Sequence, residues 1–261
     1  MPHATINGQQ LYFEDTGGSG QAIILSHGFL MDHEMFAAQV AALAPTYRVI
    51  SWDQRGFGRT VSDGAAFSYW DSARDALALL DHLHIERAVL GGMSQGGYLS
   101  LRAALLAPQR VQALVLIDTQ AGAEAADKRG AYRQLLEGWA QHGLSDEVAA
   151  IIAQIIIDSP AHNAPWIAKW KALADASRLI APSNCLLDRD DIVARLPEIT
   201  APALVIHGTR DHAIEMDRAE TLCRGLADCR GLLRVEGAGH AANLTHPEQV
   251  NPALLGFLQS L

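Results

Sequence analysis

The strongest constraint on this chain is a rhythm. Short runs that are apolar at nearly every position alternate with stretches whose apolar residues recur three and four apart. The runs are "AIILSH" (22–27), "RVISWD" (48–53), "AVLGGM" (88–93), "VQALVLID" (111–118), "ALVIHG" (203–208) and "LLRVEG" (232–237). Side chains on a strand alternate between its two faces, so a run without polar alternation suits a strand buried on both sides. Between the runs lie "EMFAAQVAAL", a stripe of Trp70, Ala73, Leu77 and Leu80, a helical stretch over 95–107, and a stripe of Met216, Ala219, Leu222 and Leu226. A closing helix aligns Val250, Leu254, Phe257, Leu258 and Leu261, and Thr245 and Glu248 have capping-box spacing at its start. "ATING" and "QLYFEDT" add two strands joined at Asn7-Gly8, a pair suited to a tight hairpin turn. Strands alternating with amphipathic helices predict an α/β protein with a mostly parallel sheet covered on both faces.

One segment interrupts the rhythm. Residues 119–198 contain no convincing strand and read as helices over about 124–142, 145–157 and 164–178, punctuated by Pro160, Pro165 and Pro182. This predicts a helical cap inserted into a core formed by 1–118 and 199–261. The cap carries Trp139, Trp166, Trp170 and a cluster of isoleucines at 151, 152, 155, 156 and 157.

The 261 residues, 49% of them hydrophobic, suffice for one large domain with a sizeable core. A net charge of −9 argues against a nucleic-acid-binding surface. The opening "MPHATINGQQ" is polar, and no apolar run approaches the roughly 18 residues needed to cross a membrane. Three cysteines, Cys185, Cys223 and Cys229, form no framework spacing. Their odd number predicts free thiols in a reducing compartment, hence a cytoplasmic protein. There is no metal-ligand spacing and no phosphate loop, and "GGSG" at 17–20 reads as a turn because no helix follows it. No cofactor and no metal is expected. Homo-oligomer formation is left open.

Chemistry concentrates at "GGMSQGG" (91–97), where Ser94 falls between a strand and a helix. A sharp turn there lifts the serine clear of the backbone, and the residues two before and two after, Gly92 and Gly96, must be small for strand and helix to pass. The first N–H groups of the helix then point at whatever lies over Ser94. A serine hydroxyl needs a base, and the base needs an orienting acid. Eleven histidines make the presence of one uninformative, so position must decide. His240, in "GAGHAANLTHPE", follows the last strand; Asp211, in "HGTRDHAIE", follows the strand at 203–208. Both are carboxyl ends of sheet strands, where open α/β sheets place their ligands. Asp118, at the end of "VQALVLID", is the alternative acid; His246, at a helix start, is read as a capping or surface residue, and His212 is set aside because adjacent side chains diverge from each other.

Taken together, Gly92-Met93-Ser94-Gln95-Gly96, His27-Gly28-Phe29, Asp53-Gln54-Arg55-Gly56-Phe57-Gly58, Asp211, His240 and the inserted cap resemble the α/β-hydrolase fold over essentially the full length. The resemblance implies an eight-stranded, mostly parallel sheet with the cap between strands 6 and 7. It implies Ser94 as nucleophile, His240 as general base, Asp211 as orienting acid, and the backbone N–H groups of Phe29 and Gln95 as an oxyanion hole. Arg55 is expected to be structural. Met31, Trp139, Trp166 and Trp170 are candidate substrate contacts. Serine rather than aspartate at the elbow argues against the dehalogenases and epoxide hydrolases of that family. The chain is similar to 3-oxoadipate enol-lactonases and small carboxylesterases, implying hydrolysis of a small-molecule ester or lactone. The same triad also serves cofactor-free haloperoxidases or perhydrolases and carbon–carbon bond hydrolases. A non-hydrolysing receptor on this fold is the rival of another class.

Overall fold

Every residue of the strands Ala22–Ser26, Ala88–Met93 and Ala203–Gly208 is buried, which is what an apolar run without alternation requires. A computed structural model describes residues 3–261. The strands are β1 (His3–Ile6), β2 (Gln9–Asp15), β3 (Ala22–Ser26), β4 (Arg48–Trp52), β5 (Ala88–Met93), β6 (Val111–Ile117), β7 (Ala203–Gly208) and β8 (Cys229–Val235). They form one eight-stranded sheet in the order β1-β2-β4-β3-β5-β6-β7-β8. β1 pairs antiparallel with β2, and β2 with β4; every pairing from β4 to β8 is parallel. Asn7 and Gly8 both adopt positive φ (48° and 80°), the two left-handed positions of a tight hairpin.

The helices are α1 (Ala37–Leu43), α2 (Tyr69–His82), α3 (Gln95–Leu106), α4 (Ala126–His142), α5 (Asp146–Ile156), α6 (Pro160–Lys171), α7 (Ile180–Leu187), α8 (Met216–Gly225), α9 (Ala242–Thr245) and α10 (Pro247–Gln259). The sheet separates two apolar clusters. Ile23, Leu25, Val89, Val115 and Ile206 face α1 and α10. Ile24, Leu90, Leu114, Leu116 and Val205 face α2, α3 and α8. Alternate residues of one strand thus enter different clusters, and both clusters need them apolar.

Between β6 and β7 every element is helical. Leu136, Trp139, Ile152, Ile156, Trp166 and Trp170 from α4, α5 and α6 join the cluster that holds Phe29 and Met93. The last part of the segment packs differently: Cys185, Ile192 and Leu196 belong to the opposite face of the sheet. α6 begins earlier than the sequence pattern suggested. Pro160 opens it, at a position whose N–H would lack an intrahelical acceptor anyway, and the helix continues through Pro165. α7 was hidden by Pro182, which sits in its first turn, where proline costs no helical hydrogen bond.

Two expectations are corrected. Cys223 and Cys229 are not free thiols: they form a disulfide, with Cα atoms 5.4 Å apart. The turn from the end of α8 to the start of β8 brings together two residues only 6 apart in sequence, a closure that an odd cysteine count conceals. Cys185 is free and buried, and burial pushes its thiol up to about 12. The capping box does not form either. Thr245 ends α9, with its hydroxyl donating to the Ala241 carbonyl (3.0 Å), and Pro247 opens α10. No helix among the described residues is long and apolar enough to cross a membrane.

Candidate active site

β5 enters α3 through a single residue, Ser94, whose φ of 50° and ψ of −114° are strained for a side-chain-bearing residue. Such a conformation costs on the order of 1–3 kcal/mol and persists only where the surroundings impose it. They do so here. The Ser94 N–H donates to the Ile117 carbonyl (2.9 Å), and the Ser94 carbonyl accepts from Thr119 Oγ1 (2.7 Å) and from the N–H of Gly97 (2.9 Å). The glycines around it are there for closeness. A Cβ on Gly92 would overlap the backbone of Gly96, one on Gly96 would overlap the carbonyl of Ser26, and one on Gly97 would overlap the Thr119 side chain.

The loop after β3 comes up beside this turn. The N–H of Met31 donates to the Gly28 carbonyl (3.1 Å), with Leu30 left-handed at φ 61°. A Cβ on Gly28 would strike Met93 Sδ and would lie 3.7 Å from Ser94 Cβ, so this backbone packs tightly on Met93 and in ordinary contact distance of the serine. Gln95 is the first residue of α3, where the N–H has no intrahelical acceptor. Neither its N–H nor that of Phe29 donates to another backbone group among the described residues.

His240 arrives from the loop after β8, and its Nδ1 lies 2.8 Å from Asp211 Oδ2. Asp211 Oδ1 accepts from the N–H groups of Ala213 and Ile214, each at 2.9 Å. An acceptor-only carboxylate takes the Nδ1–H tautomer and leaves the Nε2 lone pair of His240 free. Burial disfavours the charged ring, but the charge and hydrogen bond of Asp211, with the charge of Asp118, outweigh it and hold His240 above its ordinary value. For Asp211, burial pushes upward, yet His240 and His207 hold the carboxyl below its usual range. Asp118 has different partners: its oxygens accept from the N–H groups of Gly208 (2.8 Å) and Ala242 (2.9 Å), tying the two loops together. Burial and then the nearby Asp211 charge push it well above the usual carboxylate range. His212 is exposed, and His246 Nδ1 pairs with the Thr245 hydroxyl at 2.9 Å.

Ser94 and His240 share the wall of a cavity of about 90 Å³. Phe29, Leu30 and Met93 line it from the sheet side; Leu136, Ile152 and Ile156 line it from α4 and α5. Tyr98, Tyr132 and Glu124 supply its other polar groups. Glu124 is held by Arg189 Nη1 at 3.2 Å, and that guanidinium stacks over the Tyr98 ring at 4.6 Å.

The four proposed substrate contacts are elsewhere. Met31, Trp139, Trp166 and Trp170 are all buried, and none lines this cavity. Trp170 donates from its indole N–H to the Leu30 carbonyl (2.7 Å), bracing the loop behind the site. Trp139 and Trp170 border a separate surface crevice, and Trp166 lies under the Lys169 ammonium at 4.2 Å. Large rings of α4 and α6 have filled the interior of the cap, leaving smaller Leu and Ile residues of α4 and α5 to face the cavity. The periodicity of α4 places Tyr132, Leu135, Leu136 and Trp139 on one stripe, but only the packing of the helix decides which of them meets a ligand.

Arg55 is structural, as expected, pairing with Asp75 at 2.5 Å; on the cap Lys169 pairs with Asp32 (2.7 Å) and Glu34 (2.8 Å), and Lys171 with Asp146. His27 Nε2 accepts from the Gln54 N–H at 2.9 Å. Two clusters, Asp32-His33-Asp53 and Asp118-His207-Asp211, bring ligand-type atoms within 4.8 Å of one another. In each, backbone N–H groups already occupy the carboxylates.

Comparison with known proteins places the fold. The chain is 30% identical over 286 aligned residues to a putative non-heme chloroperoxidase of Synechocystis sp., covering 99% of this chain and 100% of that one. A thermophilic esterase from Thermogutta terrifontis superposes with a TM-score of 0.87 at 27% identity, covering 99% of this chain and 97% of the other. The enol-lactonase from Burkholderia xenovorans LB400 superposes with a TM-score of 0.88 at 25% identity, covering 99% and 100%. Residues 21–247 match the profile of the alpha/beta hydrolase fold, and the chain belongs to that family of enzymes.

Proposed function

We propose that this protein is a serine hydrolase that cleaves a carboxylic ester or lactone through an acyl-enzyme. The observation that carries the reading is the 2.8 Å bond from His240 to Asp211, on a cavity whose wall also holds the strained Ser94. Ser94 Oγ attacks the carbonyl carbon while His240 Nε2 takes its proton. Negative charge develops on the carbonyl oxygen, and the N–H groups of Phe29 and Gln95 stabilise it there. Collapse of the tetrahedral intermediate breaks the bond to the leaving oxygen, which receives the proton from His240. Water, activated by the same imidazole, then releases the acid. With a lactone the leaving hydroxyl stays tethered to the acyl group.

The cavity wall favours an uncharged, apolar acyl group. Among the described residues it carries one carboxylate, Glu124, and no lysine or arginine. A burst of nitrophenol from p-nitrophenyl acetate, absent in Ser94→Ala, tests the mechanism; turnover without a burst and unaffected by that substitution would remove it. The full-length similarity to a putative chloroperoxidase favours a second reading. In it, hydrogen peroxide replaces water in the second half-reaction and yields a peracid. Peracid formation from acetate and peroxide, measured beside ester turnover, separates the two.

A further inference from the structure

A second imidazole touches the triad acid. His207, on β7 and fully buried, places Nε2 2.9 Å from the Ile214 carbonyl and 3.3 Å from Asp211 Oδ2. A carbonyl only accepts, so Nε2 carries the proton and donates it to the Ile214 carbonyl, with Asp211 Oδ2 beside the same N–H at 3.3 Å. Among the described residues Nδ1 has no hydrogen-bond partner, and it faces Asp118 Oδ1 at 3.8 Å. Burial pushes His207 below the ordinary histidine value despite the Asp211 charge, which favours the neutral ring.

We propose that His207 is a positioning residue for the reaction: its Nε2–H, 3.3 Å from Asp211 Oδ2, steadies that oxygen and keeps the carboxylate in the rotamer that bonds Nδ1 of His240. This rests on reading Asp211 and His240 as acid and base. Two backbone N–H groups grip Oδ1, but among the described residues only the two imidazoles come near Oδ2. Without His207, Oδ2 has a single partner in a buried site, and an ionised oxygen short of donors turns toward others. The charged and titratable groups facing this pair are Asp118 after β6, Asp217 on α8, Glu124 before α4 and Tyr132 on α4. Each remains in place when His207 is changed. Loosening Asp211 therefore weakens its hold on His240 and moves the imidazole down toward its ordinary value.

The test uses two amides of different reach. In His207→Gln the side-chain N–H can occupy the Nε2 position; in His207→Asn it falls short of it. His207→Gln is expected to keep kcat within about threefold of wild type and to leave the acid limb of kcat/KM in place. His207→Asn is expected to lose about tenfold in kcat at unchanged KM. Its acid limb should move to lower pH, and the downfield Nδ1–H proton resonance of His240 should shift upfield. If the two variants lose kcat equally, or kcat follows thermal stability while the pH limb stays fixed, the proposal is overturned. Should His207→Asn fail to fold, His207→Met fills the site without a donor, and a Met variant equal to Gln overturns it as well. Asp211→Asn measured alongside separates the levels. Near-wild-type activity there overturns the underlying reading, and the proposal with it. An inactive Asp211→Asn beside equal Gln and Asn variants overturns the proposal alone.

Discussion

The backbone of Gly96 lies against the carbonyl oxygen of Ser26, leaving no room between β3 and α3 for even one carbon atom. Gly92 meets the backbone of Gly96 in the same way from β5. These contacts press the elbow into the conformation that presents Ser94. Gly96→Ala should therefore act on geometry first. Overpacking of this kind costs about 1–3 kcal/mol, and displacing a nucleophile by about 1 Å costs on the order of 100-fold in rate. Thermal unfolding and esterase assays of the variant check this; a Gly96→Ala protein with full activity contradicts it.

The two buried aspartates should separate cleanly. Asp211→Asn presents His240 with an amide in place of a carboxylate, which disturbs the tautomer, and a fall in kcat of about 10⁴-fold is expected. Asp118→Asn leaves the bond from His240 to Asp211 intact, weakens the tie to Gly208 and Ala242, and removes the smaller of the two charges that hold His240 up. Its cost should appear mainly as stability, about 1–3 kcal/mol. Steady-state kinetics and denaturant melts of both variants decide the matter, and an inactive Asp118→Asn beside an active Asp211→Asn reverses the assignment.

The pH dependence has a definite sign. A protonated His240 cannot accept the serine proton, so kcat/KM falls as pH drops through its pKa. Because Asp211 and Asp118 together hold that value up against burial, the acid limb should lie above the ordinary histidine value of about 6.5. In Asp211→Asn the residual activity should show the limb displaced to lower pH. A wild-type limb at pH 5 or below does not fit this electrostatic environment.

Selectivity should follow the cavity wall. Leu136→Ala and Ile152→Ala remove apolar wall and should reorder preference among acyl chain lengths, each methylene being worth about 1–3 kcal/mol. Trp139→Ala and Trp166→Ala empty the interior of the cap and should instead destabilise the protein by about 3–5 kcal/mol. Esters whose acyl chain ends in a carboxylate should be poor substrates beside Glu124. A kcat/KM matrix of variants against chain length reads all three statements; uniform effects from Leu136→Ala and Ile152→Ala sink the first.

Much of this was legible in the sequence because it depends on local pattern. Runs buried on both faces announced the parallel strands, and the spacing of Gly92, Ser94 and Gly96 announced the turn. Asp211 and His240 could be picked out because both follow strands whose carboxyl ends share one edge of the sheet. What depended on packing at a distance was hidden. Trp139 and Leu136 lie on one stripe of α4, and only the placement of that helix turns the leucine to the cavity and the tryptophan into the cap. The Cys223–Cys229 bridge depended on how α8 turns into β8, and α7 on Pro182 falling in a first turn. His207 gave no signal at all, being one histidine within a strand of apolar residues.

The most direct test is covalent labelling by a fluorophosphonate, read by intact-protein mass and by peptide mapping of the adduct. One adduct per chain is expected, on Ser94, formed quickly above the pKa of His240 and slowly below it. Ser94→Ala should fold with an unchanged melting temperature, take up no label and lose about 10⁴-fold or more in esterase activity. An adduct on another residue, or a Ser94→Ala protein that still hydrolyses esters at a rate near wild type, would show that Ser94 is not the nucleophile.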